Sequence, residues 1–234
     1  MKAILFDSDG VLVDSMPSHY QAWKIAFKEV SKIDVDERII YLLEGMRGTD
    51  LIKKVFELKS YHNNNNNNNH NEQIVEQVSQ RKNEVFRDIL LSSPPRAYEG
   101  VKNVIMNLIN CKRAVVSGSA RKDVETLLEK SLGKGTLFDV LITADEGAKG
   151  KPDPSSFMNA LDKIKIPPSE TLVVENAPLG VEASTRAGIQ CIVILNNTPL
   201  NIQDFTSVIA EDRIFKEIIS AATFIEGWCK GNVK

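Results

Sequence analysis

Cysteine is scarce in this chain: Cys111, Cys191 and Cys229 are odd in number and far apart. That usage argues against a disulfide framework or a zinc cluster and points to a reducing, cytoplasmic setting. No charge sign dominates either, because 29 Lys and Arg meet 31 Asp and Glu for a net charge of −2. Binding to a phosphate backbone needs a basic surplus, so nucleic acid is not an expected partner. No apolar run approaches the roughly 18–20 residues of a membrane span, so no membrane partner is expected. The opening Met1-Lys2-Ala3-Ile4-Leu5-Phe6 turns acidic at Asp7, too soon for the apolar region of a signal peptide. What is present is ordinary for a globular protein. Hydrophobic residues make up 42% of 234, enough for one large unit or a core with a smaller insert.

Five short apolar runs read as strands: 3–6, 113–116, 140–143, 171–174 and 191–195. They are continuous rather than alternating, as a parallel sheet covered on both faces requires. Helical spacing lies between them at 101–109, 123–128 and 155–164, and a loop and helix over 176–187 stop at Gly188. The fold class is therefore α/β, a doubly wound parallel sheet with its ligand site at the carboxyl ends of the strands. From 15 to 93 the alternation fails, and only helical patterns occur, at 19–30, 38–43, 50–58 and 72–91. Such a stretch is too long for a crossover, so it reads as a helical domain inserted after the first strand. The core is then 1–14 with 94–234. Between His62 and His70 lie seven asparagines, read as a polar loop between two cap helices rather than a metal clamp.

Four polar groups end or follow these strands. Asp7-Ser8-Asp9-Gly10 places two carboxylates at a tight turn. One of them suits a hard cation and the other is free for acid–base work. A calcium loop is excluded, since its twelfth position, counted from Asp7, is Ser18 rather than Glu. Ser117-Gly118-Ser119 precedes a helix and suits a phosphate oxygen, although alone it would be an N-cap. Lys151, held between Gly150 and Pro152, can neutralise a phosphate and a carboxylate together. Glu175-Asn176 adds a carboxylate and an amide oxygen at the same edge.

On these residues the chain resembles the haloacid dehalogenase superfamily, in its β-phosphoglucomutase-like subgroup with a helical cap. Phe6 to Ser15, Ser117, Lys151 in Gly-Lys-Pro-Asp-Pro, and Glu175-Asn176 with Gly180-Val181 fit its four motifs. The resemblance implies a Rossmann-like core and a Mg²⁺-dependent phosphohydrolase acting on a small phosphorylated molecule. It makes Asp7 the nucleophile and a metal ligand, and Asp9 the general acid/base with its backbone carbonyl on the metal. Ser117 and Lys151 would hold the phosphoryl group, and Glu175 and Asn176 would lie on or near the metal. Gly118, Ser119, Arg121, Glu44, Arg47, Lys82 and His19 are the candidate substrate contacts, with Lys82 and Arg121 offered for a second phosphate.

The chain departs from the family at two places: Asn176 stands where an Asp is usual, and Gly48 where mutase-like members carry Arg, with Arg47 beside it. A sugar-phosphate mutase and an inorganic pyrophosphatase are the enzymatic alternatives. A dehalogenase is disfavoured by Asp9, and a silent binding module is favoured by Asn176 alone. The Glu44-Gly45 loop with Glu175-Asn176-Ala177-Pro178 also resembles a minority branch with pyrophosphatase activity. There a cap carboxylate would restore the charge lost at Asn176, with a cap shut tightly enough to leave little room for a hexose. The expected assembly is a monomer or weak homodimer.

Overall fold

The computed structural model describes residues 1–60, 68–135, 137–146 and 149–232. Six parallel strands form one sheet in the order β3-β2-β1-β4-β5-β6. They are β1 (Lys2–Phe6), β2 (Cys111–Val116), β3 (Val140–Ile142), β4 (Thr171–Glu175), β5 (Gln190–Ile194) and β6 (Ile214–Phe215). The expected five are all there, and β6 is an addition too short to leave a run in the sequence. Alternate residues of β1 divide between two apolar layers. Ile4 and Phe6 join the layer of α5 (Val101–Asn107), α6 (Arg121–Leu132) and α9 (Ile218–Cys229). Ala3 and Leu5 join that of α7 (Ser155–Ile164) and α8 (Pro178–Arg186). Both faces are thus dry, which is why these strands are apolar without alternation.

Strand order reverses between β1 and β4, so a crevice opens outside their carboxyl ends. Between β1 and β2 come α1 (Met16–Ser31), α2 (Glu37–Leu42), α3 (Gly48–Leu58) and α4 (Asn68–Ser92), which form a cap. The cap has its own core, with Trp23, Phe27, Ile52, Val55 and Val78 fully or almost fully buried. The chain enters and leaves it through one clasp. Asp14 N–H donates to the Arg96 carbonyl at 2.9 Å, Tyr98 N–H to the Leu12 carbonyl at 3.2 Å, and the Tyr98 hydroxyl to Asp14 at 3.0 Å. The expected asparagine loop falls mostly on residues 61–67, outside the described ones, and α4 already begins at Asn68.

One expectation is corrected. Cys111, the first residue of β2, and Cys229, the last of α9, form a disulfide across 118 residues of sequence. Their separation hid the pairing, because nothing local shows that α9 returns to the start of β2. Cys191 is free and buried. No helix among the described residues is long and apolar enough to cross a membrane.

Candidate active site

The strand ends assemble the four polar groups. Asp7 follows β1, and its backbone N–H donates to the Val174 carbonyl at 2.9 Å, which sets it beside the end of β4. Lys151 bridges the two strands: its Nζ lies 2.5 Å from Asp7 Oδ1 and 2.5 Å from Glu175 Oε1. All three side chains are almost wholly out of solvent. Gly180 makes this arrangement possible, since a Cβ there would lie 2.1–2.3 Å from the Glu175 carboxylate.

Asp9 is held differently. Its Oδ1 accepts from the Ser15 hydroxyl at 2.5 Å and meets His19 Nε2 at 3.1 Å, and its Oδ2 accepts from Ser117 at 3.5 Å. Burial alone would raise the Asp9 pKa, but His19, Ser15 and Lys82 reverse it and bring it down to about 2. Asp9 is a carboxylate here. Burial lowers His19 against the pull of Asp9, and its ring stacks on Phe86 at 4.0 Å. Burial also pushes Asp7 up, to about 8, with Lys151 opposing and Glu175 and Asp9 adding to the rise. For Lys151, burial works against the charge, yet Asp7, Glu175 and Glu44 hold its pKa well above the ordinary lysine value. One ammonium therefore serves three acids, Asp7, Glu44 and Glu175, while His19 and Lys82 attend Asp9.

Glu44 comes from the cap. The residue is only partly buried, but its Oε2 is shut off from solvent and has no hydrogen-bond partner. Burial, then Asp7, raise its pKa well above the ordinary value. Asp7 Oδ2 and Asn176 Oδ1 are buried and unpartnered in the same way. Asn176 packs against Gly10, where a Cβ would come within 2.1 Å of its Nδ2. No trio of His, Cys, Asp and Glu side chains among the described residues closes on one point. The candidate cation donors are instead one carboxylate, one amide and a backbone carbonyl.

Beneath the cap lies a cavity of about 460 Å³. Asp9, His19, Glu44, Arg47, Lys82, Gly118 and Ser119 line it, as the sequence reading expects, together with Trp23, Ser79 and Asn83. Lys82 Nζ sits 5.3 Å from the Trp23 ring and 4.8 Å from that of Phe86. Burial lowers its pKa to about 8. One expectation is corrected. Arg121 is not at the cavity, because its guanidinium pairs with Glu146 and Glu125 and donates to the Leu141 carbonyl. Two contributors went unassigned in the sequence, Ser15 on Asp9 and Asn196, whose Nδ2 donates to the Gly10 carbonyl at 2.8 Å. Asn196 follows β5, and its place after a strand end was the available signal.

The profile of the haloacid dehalogenase-like hydrolases matches residues 1–188. The chain belongs to this family. A phosphorylated carbohydrates phosphatase of Thermotoga maritima is 30% identical over 197 residues, covering 82% of this chain and 84% of that one. The validoxylamine A 7'-phosphate phosphatase of Streptomyces hygroscopicus is 29% identical over 195 residues, covering 82% and 84%. Among solved structures, a putative β-phosphoglucomutase from Bacteroides vulgatus superposes with a TM-score of 0.81 at 29% identity, covering 100% of this chain and 90% of that one. This chain is thus a haloacid dehalogenase-like hydrolase.

Proposed function

We propose that Asp7 is the nucleophile of this hydrolase and that its substrate is a small phosphorylated polyol, such as a sugar phosphate. The observation that carries this reading is Asp7 held at 2.5 Å by Lys151, two residues before Asp9, which lines the cavity beneath the cap. Asp7 forms a bond to phosphorus while the bond to the leaving oxygen breaks, and Asp9, a carboxylate in the free enzyme, relays to that oxygen a proton brought in on the substrate's phosphate monoanion. Asp9 then takes a proton from water, whose oxygen attacks phosphorus and breaks the Asp7–phosphorus link, giving phosphate. Ser15 and His19 keep Asp9 oriented for both transfers, and Ser117 and Lys151 hold the phosphoryl oxygens. Trp23, Ser79, Asn83 and Lys82 offer the leaving group a ring face, hydrogen bonds and one cation. The cap that carries these groups is residues 15–93, and the core is the remainder.

The unpartnered buried oxygens of Asp7 and Asn176 fit a hard cation, and so does the excess of acids over Lys151. Asp7, Asn176 and the Asp9 carbonyl would hold Mg²⁺, with Glu175 close by. Bound magnesium supplies positive charge against the phosphoryl oxygens.

A second reading, inorganic pyrophosphatase, is favoured by one observation: Glu44 Oε2, buried and unpaired, where a cap carboxylate would reach the same cation. Measuring kcat/KM with Mg²⁺ for glucose phosphates and pyrophosphate, in the parent and in Glu44→Ala, separates the two. Faster turnover of the sugar phosphates supports the polyol reading. Preference for pyrophosphate, lost selectively in Glu44→Ala, replaces it.

A further inference from the structure

The cap loop and the loop carrying Lys151 meet at two glycines, Gly45 and Gly150. Lys151 N–H donates to the Gly45 carbonyl at 2.9 Å, so a core backbone group takes its partner from the cap. Gly45 lies flat on the Lys151 stem, where a Cβ would come within 2.4 Å of Cδ. Gly150 lies equally flat under the cap, where a Cβ would come within 2.3 Å of the Arg47 backbone N and 3.0 Å of the Met46 carbonyl carbon. Backbone atoms cannot swing aside as a flexible side-chain end can. Gly150 is also not among the described residues with a left-handed φ, so its own loop accepts a Cβ. The three atoms nearest to that Cβ all belong to the cap.

We propose that Gly150 is a positioning residue: its missing side chain lets residues 44–47 seat on the Lys151 loop, and that seating fixes Lys151 against Asp7. The contact has two consequences. It supplies the Lys151 amide with its acceptor, and it covers the Lys151 stem, leaving that residue 3% exposed. Excluding water in this way strengthens the attraction between the ammonium and the groups it faces. Cap closure and the placing of Lys151 are then one event. The inference rests on the reading of Asp7 and Lys151 as the reacting pair.

The test compares the parent with Gly150→Ala. Amide exchange at Lys151 is followed by NMR on protein labelled with ¹⁵N-lysine, and kcat and KM are measured with Mg²⁺ on glucose phosphates and pyrophosphate. The expected result is exchange at Lys151 at least about tenfold faster in the variant, with an unchanged melting temperature. Turnover should fall by about tenfold or more, chiefly in kcat. A Lys151 amide equally protected in both proteins, or unprotected in the parent, overturns the proposal. So does faster exchange with kcat unchanged. If the parent hydrolyses none of these substrates, faster exchange alone supports the seating contact, and the failure belongs to the reading of the reaction. A variant that does not fold shows that Gly150 serves the core and also overturns the proposal.

Discussion

Asp7 illustrates how little of this site is structural in purpose. Its Oδ2 has no partner and its Oδ1 is spent on Lys151, so replacing it removes no packing. Asp7→Asn should keep the fold while turnover drops at least a thousandfold, roughly 4 kcal/mol of barrier. Residual activity above that level, with no beryllofluoride adduct at residue 7 of the parent, would end the covalent account. Lys82 makes a complementary case. Burial brings its pKa from 10.5 to about 8, against the pull of Asp9 and Asp123 and with the help of Arg87. Between those values the unfolded chain binds more protons than the folded one, so this group makes stability rise with pH from about 8 to 10.5. Below pH 8 its whole cost is present. Lys82→Met should therefore raise the melting temperature at pH 7 by about 2–4 °C, if of order 1 kcal/mol is recovered. It should also flatten the alkaline rise and increase KM for the substrate. A lower melting temperature at pH 7 would mean that the Trp23 and Phe86 faces fully offset the burial of the charge.

At the level of elements, Asp7, Ser117 and Glu175 needed only one inference, that apolar runs ending in polar residues share a sheet edge. Helix 155–164 was legible to its ends because an apolar stripe follows Pro154 and stops before the left-handed Lys165. What stayed hidden depends on tertiary return. Arg121 reads as a phosphate ligand by its place near Ser119, but Glu146 claims its guanidinium from 25 residues away, joined by Glu125 one helical turn along α6. The segment beyond Leu195 yielded neither β6 nor α9, since a strand of two residues has no periodicity and α9 is apolar on most of its surface. The disulfide belongs here too. By tying the start of β2 to the end of α9 it closes a loop of 118 residues, so breaking it should cost about 2–4 kcal/mol. Denaturant titrations of the oxidised parent, the reduced parent and Cys229→Ser should show the last two alike and both weaker. Three equal midpoints would show that the bond contributes nothing.

Across the whole molecule, the acids around Lys151 form a charge imbalance that folding creates and that a divalent cation would relieve. A cation bound only by the folded state stabilises it by RT ln(1 + [Mg²⁺]/Kd), about 2.7 kcal/mol at a hundredfold excess over Kd. Mg²⁺ should therefore raise the melting temperature without any substrate. Asn176→Asp should lower it in the absence of Mg²⁺ and enlarge the rise when Mg²⁺ is added. Equal rises in both proteins would remove residue 176 from the ligand set. The clasp carries a different consequence. Because Leu12 and Asp14 are bonded to Tyr98 and Arg96, the two ends of the cap segment leave the core one hydrogen bond apart. Any helical unit whose own termini meet could be spliced in at that point without stretching the sheet. The sheet and most of the cavity's roof are thus written on separate stretches of chain, and inheritance can edit one while copying the other.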